Sequence, residues 1–273
     1  MDFIQAIIVG LVQGLTEFLP ISSTAHVRIM PAMFGWDDPG SAFTAAIQMG
    51  TILAVLIYFR NDLVRILKEW IKSIKERTFL KHPEGRIGWA IMFGTLPISV
   101  LGLALKDSIE TTFRSLHIIA WALIGLGLLM GVSELVAKKS KNLEKVSIWT
   151  GIWVGFWQAL ALIPGMSRSG STITGALFAG FDRATAARFS FLLSVPAIIA
   201  AGLYNFKSHS DQLLHESLTP MLIANAAAFV SGYWAIAFLI KFLQKRSTLV
   251  FILYRVALGV IILGLLNQGI LTP

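Results

Sequence analysis

The chain has 273 residues, of which 55% are hydrophobic and only 14% are charged, and its mean hydropathy is +0.72. Because soluble domains carry about 25% charged residues, this composition excludes an ordinary soluble domain and predicts an integral membrane protein. The absence of Cys excludes disulfides and thiolate metal sites. The net charge of +8 does not indicate nucleic-acid binding, because the basic residues fall between apolar segments.

Apolar segments follow one another along nearly the whole chain. A membrane-spanning helix needs about 20 apolar residues. Six segments meet this requirement: 41–59, 87–105, 117–137, 184–205, 219–240 and 249–268. Two more, the first broken segment (2–35) and the second broken segment (147–181), are apolar but interrupted by Pro, Ser and Gly. The sequence therefore predicts an all-α polytopic membrane protein.

Basic residues are distributed unevenly between these segments. Eight Lys and Arg residues lie in 60–86, four in 138–145 and three in 241–246, whereas 106–116 has two and 207–218 has one. The positive-inside rule places the three basic regions in the cytoplasm and the other two regions outside.

This assignment of sides determines how the broken segments cross. Loop 138–145 is inside and loop 207–218 is outside, so an odd number of crossings must lie between them. Span 184–205 supplies one crossing, so the second broken segment must enter and leave on the same side. The first broken segment behaves in the same way if it enters from outside. Both are therefore predicted to be re-entrant helix hairpins, whose irregular backbone must face the protein interior, and both termini are predicted to lie outside.

The two halves of the chain also resemble each other in sequence. A Gly three residues before a Gln occurs in each broken segment, at Gly10 and Gly155, and a Pro follows in each case. With one hairpin and three spans in each half, residues 1–137 and 147–273 are predicted to form an inverted repeat within one integrated membrane domain. Such repeats place a shared site between the halves.

The first broken segment carries the motif Q-G-L-T-E-F-L-P-I-S-S-T-A-H at 13–26. Gln13 and Glu17 are four residues apart and share one helix face. A carboxylate at membrane depth is costly, so Glu17 is interpreted as a metal ligand or general base, against the alternative of a polar contact to a neighbouring helix. With Gln13 as a second ligand, the oxygen donors favour Mg²⁺ or Ca²⁺ over zinc.

Hydroxyl groups and an imidazole follow in the same motif. Ser23 and His26 are three residues apart, which fits a nucleophile beside a base. Ser22 and Thr24 either donate to phosphate oxygens or only cap a helix. Gln48, in the next span, either joins the site or bridges two helices.

The second broken segment carries P-G-M-S-R-S-G-S-T at 164–172. Ser167, Ser169 and Gly170 around Arg168 predict an anion-binding helix N-terminus with free backbone N–H groups. Arg is the preferred planar clamp for phosphate, and the alternative is an Arg whose side chain reaches the membrane surface. Together the motifs predict phosphoryl transfer from a ligand with a membrane-soluble portion.

Other polar residues within the apolar segments are assigned structural roles. Asn225 is predicted to make a hydrogen bond between helices. Four arginines near predicted segment ends are expected to extend to the membrane surface: Arg28, Arg183, Arg188 and Arg255.

These motifs, with R-x-x-A-x-x-F-S-F-L-L-x-x-P at 183–196, resemble the undecaprenyl pyrophosphate phosphatases, the bacitracin-resistance proteins of the BacA/UppP type, over nearly the whole chain. The resemblance implies hydrolysis of undecaprenyl diphosphate to undecaprenyl phosphate and phosphate, with a divalent cation. It further implies recycling of the lipid carrier for peptidoglycan and other envelope polymers, bacitracin resistance, and a bacterial plasma-membrane protein whose site opens to the outer face.

The resemblance also implies roles for individual residues. Gln13 and Glu17 match the E/Q-x-x-x-E pattern, Ser23 the proposed nucleophile, His26 the proton-transfer residue and Arg168 the phosphate-binding residue. Because the first position of the pattern is Gln13, only one carboxylate is present, which puts a two-carboxylate metal site in doubt.

The alternative function is transport or flipping of a polyprenyl phosphate, since inverted repeats with broken helices are typical of transporters. Fold alone does not exclude it. The expected partners are a polyprenyl diphosphate lipid and membrane lipids, and a homodimer is left open.

Overall fold

The computed structural model describes residues 1–37, 40–79, 81–110, 113, 115–216 and 218–271. The helices are α1 (Phe3–Phe18), α2 (Ser23–Phe34), α3 (Gly40–Ala46), α4 (Gln48–Tyr58), α5 (Arg60–Lys75), α6 (Pro83–Ala104), α7 (Lys106–Glu110), α8 (Leu116–Val136), α9 (Ile148–Ala159), α10 (Arg168–Phe178), α11 (Arg183–Glu216), α12 (Leu218–Lys245) and α13 (Leu249–Asn267). The prediction of an all-α polytopic membrane protein is confirmed.

Five helices in the described part of the chain are long and apolar enough to cross a membrane, namely α6, α8, α11, α12 and α13. They occupy five of the six predicted spans. Each contains an apolar stretch of 18 residues with at most two charged residues, which is long enough for a crossing.

The remaining predicted span, 41–59, is not one continuous helix. It is interrupted at Ile47, between α3 and α4. The amide of Gly50 at this interruption donates to Asn225 Oδ1 on α12, at 2.6 Å. Asn225 therefore makes the predicted interhelical contact. Its side-chain oxygen stabilises the interruption between α3 and α4, which the local sequence does not predict.

Region 60–86 was predicted only as a basic loop, but α5 occupies most of it. The helix is bent by 73° relative to the preceding α3–α4 segment. It packs against α6, where Trp89 Nε1 donates to Ser73 Oγ at 3.1 Å. The basic region between the spans therefore contains a helix, whose apolar periodicity the count of charges overlooked.

Helix α11 also continues beyond its predicted end at residue 205, through most of the region predicted as loop 207–218. No Gly or Pro occurs between residues 203 and 216, so no residue there ends a helix. In the other predicted outer region, 106–116, Arg114 lies outside the described residues.

Each broken segment contains two helices with an irregular connection, which we call its break. The first break (residues 19–22) joins α1 to α2, and the second (residues 160–167) joins α9 to α10 and begins with a 3₁₀ turn. Helix α1 packs closely on α12, and α9 packs closely on α6. These contacts hold the two breaks inside the protein.

Close packing of α1 and α9 requires glycine at the contacts. A Cβ atom on Gly10 would lie 2.2 Å from the backbone oxygen of Ala224, and one on Gly155 would lie 2.2 Å from that of Gly94. Only residues without a side chain allow the backbones to approach so closely, as is common between membrane helices.

Two of the arginines expected to extend to the membrane surface are held by carboxylates. Arg188 Nη2 donates to Asp62 Oδ1 at 2.7 Å, and Arg183 pairs with Glu134. Glu134 also accepts from Thr248 Oγ1 at 2.8 Å. These pairs connect α5 to α11 and connect the ends of α8, α11 and α13. Both arginine side chains stay partly exposed, so their extension to the membrane surface stays a prediction.

Candidate functional site

Both breaks end in a serine with an unusual backbone conformation. Ser22 has φ 75° and Ser167 has φ 58°, in the left-handed region that non-glycine residues seldom adopt. Each serine caps the following helix, since Ser22 Oγ accepts from Ala25 N at 3.4 Å and Ser167 Oγ from Gly170 N at 3.2 Å. The predicted capping role of Ser22 is therefore observed. The residues that follow the two serines, Ser23 and Arg168, contact a common side chain.

Those next residues, Ser23 and Arg168, converge on Glu17. Ser23 Oγ donates to Glu17 Oε2 at 2.7 Å, and Arg168 Nη2 donates to Glu17 Oε1 at 2.7 Å. Gln13 Nε2 also donates to Glu17 Oε2, at 3.0 Å. The carboxylate thus accepts three hydrogen bonds in total, one at Oε1 and two at Oε2. These bonds offset the cost of removing its charge from water.

A further hydrogen bond joins the first break to α10 beside this cluster. Ser169 Oγ donates to the carbonyl oxygen of Leu19 at 3.1 Å, and it lies 3.2 Å from Ser167 Oγ. Phe18, which follows Glu17, is fully buried and packs edge to face on Phe191, with 5.5 Å between ring centroids. The site is therefore fixed by side-chain packing as well as by polar contacts.

One nitrogen of Arg168 has no partner. Nη1 is buried and makes no hydrogen bond within the described part of the chain, while Nη2 holds Glu17. A buried donor without an acceptor costs about 1–3 kcal/mol. Arg168 thus offers a positioned N–H group to an additional anion, beside the N-terminus of α10, where backbone N–H groups favour negative charge.

His26 is held by Ser22 and by Tyr254. Its Nδ1 lies 2.7 Å from the carbonyl oxygen of Ser22, which can only accept, so Nδ1 carries the proton. Its Nε2 lies 2.6 Å from the hydroxyl of Tyr254, and the two rings stack 5.6 Å apart. In the neutral imidazole, Nε2 therefore accepts from Tyr254, a residue that the sequence did not single out.

Arg255 is the largest departure from the sequence-based expectation. It was predicted to extend to the membrane surface, but it is 0% exposed. Nη1 donates to the Pro20 carbonyl at 3.2 Å, and Nη2 donates to the Gly165 carbonyl at 2.8 Å. Each of these carbonyls belongs to a different break, so one guanidinium connects them.

A sequence signal for Arg255 does exist. It is the seventh residue of the apolar helix α13, and an ionisable residue within an apolar span is a functional candidate by default. Its closeness to the start of the predicted span 249–268 favoured the assignment to the membrane surface.

Three other predicted site residues, Gly170, Thr24 and Gln48, make no described hydrogen bond to Glu17. Gly170 is buried in the first turn of α10, whereas Thr24 is exposed on α2. Gln48 begins α4, where its carbonyl accepts from Thr51 Oγ1 at 2.7 Å.

A divalent cation is compatible with Gln13 and Glu17. Within the described residues, no group of three or more His, Cys, Asp or Glu side chains could enclose a metal. However, Mg²⁺ is commonly held by one or two carboxylates together with substrate phosphates and water. One carboxylate fits that pattern, with phosphates and water supplying most ligands, whereas Gln13 directs its amide nitrogen at Glu17 and would have to turn its oxygen there to join the site.

The role of Arg255 gives a first prediction. Replacing Arg255 with Lys should lower the unfolding temperature by several degrees, because an ammonium group cannot reach the carbonyls of both breaks. A buried carbonyl left unpaired costs about 1–3 kcal/mol. Thermal unfolding in detergent measures the change, with Arg246→Lys, at an exposed position, as the matched control. Equal unfolding temperatures for the two variants would contradict this role.

Comparisons with known proteins identify the family of the chain. The model of the family described as bacitracin resistance protein BacA matches residues 6–261. A protein of Chloroherpeton thalassium named undecaprenyl-diphosphatase is 51% identical, over 98% of each chain. A Myxococcus xanthus protein of the same name is 50% identical, over 100% of this chain and 92% of its own. Undecaprenyl-diphosphatase 2 of Frankia casuarinae is 46% identical, over 100% and 98%. The chain belongs to the BacA family of bacitracin resistance proteins.

Proposed function

We propose that the protein hydrolyses undecaprenyl diphosphate to undecaprenyl phosphate and inorganic phosphate. The names of its relatives support this substrate, and the apolar helices support a membrane-embedded one. The observation that carries the proposal is the convergence of Ser23 and Arg168, from two broken segments, on the carboxylate of Glu17. A nucleophile, a base and a phosphate-binding cation then lie in one place.

The diphosphate binds at the start of α10 in this proposal. The unpartnered Nη1 of Arg168 donates to a phosphate oxygen, while its Nη2 stays on Glu17. Backbone N–H groups of the first turn add further donors, and the hydroxyls of Ser167 and Ser169 do so once they leave each other and the Leu19 carbonyl. Such prearranged donors stabilise the charge that develops on a phosphoryl group during transfer.

The hydroxyl of Ser23 attacks the terminal phosphorus. Its proton passes to Glu17 Oε2, which already accepts it in a hydrogen bond of 2.7 Å. A bond forms from Oγ to phosphorus, and the bond to the bridging oxygen breaks, releasing undecaprenyl phosphate. Water then cleaves the phosphoserine and releases phosphate. The alternative is direct attack by a water activated at Glu17.

His26 acts as the second proton carrier in the proposal. Because Ser22 and Tyr254 hold its two ring nitrogens, its orientation is fixed, and Tyr254 must release Nε2 before that nitrogen can accept a proton. Gln13 and Glu17 would hold Mg²⁺ or Ca²⁺. When bound, such a cation supplies neutralisation of phosphate charge.

The predicted inverted repeat remains part of the proposal, with re-entrant broken segments and both termini outside. Its support is an exchange of contacts between the halves: α1 of the first half packs on α12 of the second, and α9 of the second packs on α6 of the first. The close contacts at Gly10 and Gly155 occupy corresponding positions. The site would open to the outer face of the bacterial plasma membrane.

The physiological role follows from the substrate. Release of undecaprenyl phosphate would recycle the lipid carrier for peptidoglycan and other envelope polymers. Consumption of the diphosphate form would give bacitracin resistance. Transport of a polyprenyl phosphate is the second candidate, favoured by the exchanged packing of the two halves.

Phosphate release in detergent distinguishes the two candidates, because no transport is possible there. The purified protein should release phosphate from undecaprenyl diphosphate, and EDTA should reduce the rate at least about tenfold if a cation neutralises the phosphate charge. Restoration by added Mg²⁺ or Ca²⁺ controls for damage by the chelator. No release from folded protein under any of these conditions would favour transport.

The nucleophile has its own test. Ser23→Ala should lower kcat by at least about a thousandfold, because covalent catalysis loses its attacking atom. The protein should stay folded, because Gln13 and Arg168 still donate to Glu17. Thr24→Val, at the adjacent exposed hydroxyl, is the matched control and should retain most activity. A loss of less than about tenfold in Ser23→Ala would instead support direct attack by water.

A further inference from the structure

Helix α5 presents three different faces. Its buried face, centred on Ile66 and Ser73, packs on α6. A second stripe is apolar but exposed, with Val64, Leu67, Ile71 and Ile74 between 41% and 52% exposed. The third stripe is basic and exposed, and consists of Arg65, Lys68, Lys72 and Lys75. Spacings of three and four residues place each set on one side of the helix.

The orientation of α5 fits a position along a membrane surface. The chain bends by 73° where α4 ends and α5 begins. If α4 runs into the bilayer, then α5 cannot continue across it. A helix with one apolar stripe and one basic stripe is most stable in the interface, with apolar side chains in the acyl region and cations at the headgroups.

The basic stripe contains a shallow depression next to this bend. Its volume is about 380 Å³, and it is lined by Arg60, Arg65, Lys68, Asn61, Val64 and Glu69. Three basic side chains therefore surround it, against one carboxylate. Its wall at Val64 is continuous with the exposed apolar stripe.

Glu69, Glu76 and Asp62 are the acidic residues of α5 and its end, and none of the described ion pairs joins a carboxylate to Lys68, Lys72 or Lys75. Asp62 is occupied by Arg188 on α11 at 2.7 Å and by Arg65 at 2.7 Å. Lys68, Lys72 and Lys75 therefore keep an excess of positive charge facing outward, beside the apolar stripe.

We propose that α5 lies in the headgroup layer and that its basic stripe binds anionic phospholipids of the bilayer, with the depression at Lys68 receiving a lipid phosphate. Charge complementarity identifies the partner, and the adjacent apolar stripe identifies it as a lipid with acyl chains. Basic side chains near an anionic leaflet each contribute to such binding. This binding is separate from the proposed hydrolysis and does not depend on it.

The wild-type protein provides the first test. Phosphatidylglycerol, added to the full chain in neutral detergent micelles, should raise the unfolding temperature more than phosphatidylcholine does. Soluble glycerol 3-phosphate at the same concentration should have little effect, because it lacks acyl chains. Equal stabilisation by the two lipids, or by the soluble phosphate, would overturn the proposal.

A charge-neutralised variant provides the second test. Lys68→Gln/Lys72→Gln/Lys75→Gln should weaken the apparent affinity for phosphatidylglycerol at least about tenfold, which corresponds to about 1.4 kcal/mol. Lys138→Gln/Lys145→Gln/Lys245→Gln removes the same charge from exposed positions elsewhere, and its affinity should stay within about twofold of wild type. Equal affinities of the two triple variants would overturn the assignment to α5.

Discussion

The ion pair between Glu17 and Arg168 is the contact on which the arrangement of the site depends. It joins residues 151 positions apart, and its side chains are only 11% and 12% exposed. A buried ion pair often adds little net stability, but removing one partner leaves an unpaired charge and costs about 3–5 kcal/mol. The pair therefore acts chiefly by specifying one relative position of the two breaks. Ser23 and Gln13 complete that position, since both donate to Glu17 Oε2 while Arg168 donates to Oε1.

Arg255 stabilises backbone carbonyls that a broken helix leaves without donors. Where α1 and α9 end, backbone carbonyls lose their helical donors, and inside a membrane protein water cannot readily replace them. The guanidinium of Arg255 serves Pro20 in one break and Gly165 in the other. Arg168 pairs with Glu17 while Arg255 contacts only backbone carbonyls among its described partners, and this excess of positive charge at the breaks is suited to a diphosphate. The same side chains that stabilise the irregular backbone therefore prepare the site electrostatically for its proposed ligand.

The sequence was informative where chemistry and length act locally. Apolar length predicted α6, α8, α11, α12 and α13, because about 20 apolar residues can only be accommodated as a span. Polar motifs inside apolar segments singled out Glu17, Ser23 and Arg168, which the structure brings together. The sequence was uninformative where a residue distant in the chain determines the local backbone conformation or the position of a side chain. The interruption between α3 and α4 uses an acceptor 175 residues away. Arg255 was misassigned because its carbonyl partners lie in two remote breaks, and Tyr254 was missed because its contact with His26 spans 228 residues.

A double-mutant cycle on Glu17 and Arg168 tests the central claim most directly. Glu17→Gln, Arg168→Met and the double variant would be compared with wild type by the free energy of unfolding in detergent. If one ion pair joins the two breaks, the double variant should be more stable than the sum of the single changes predicts, by at least about 1 kcal/mol. Additive effects, within about 0.5 kcal/mol, would show that the two side chains act independently and would contradict a single shared site.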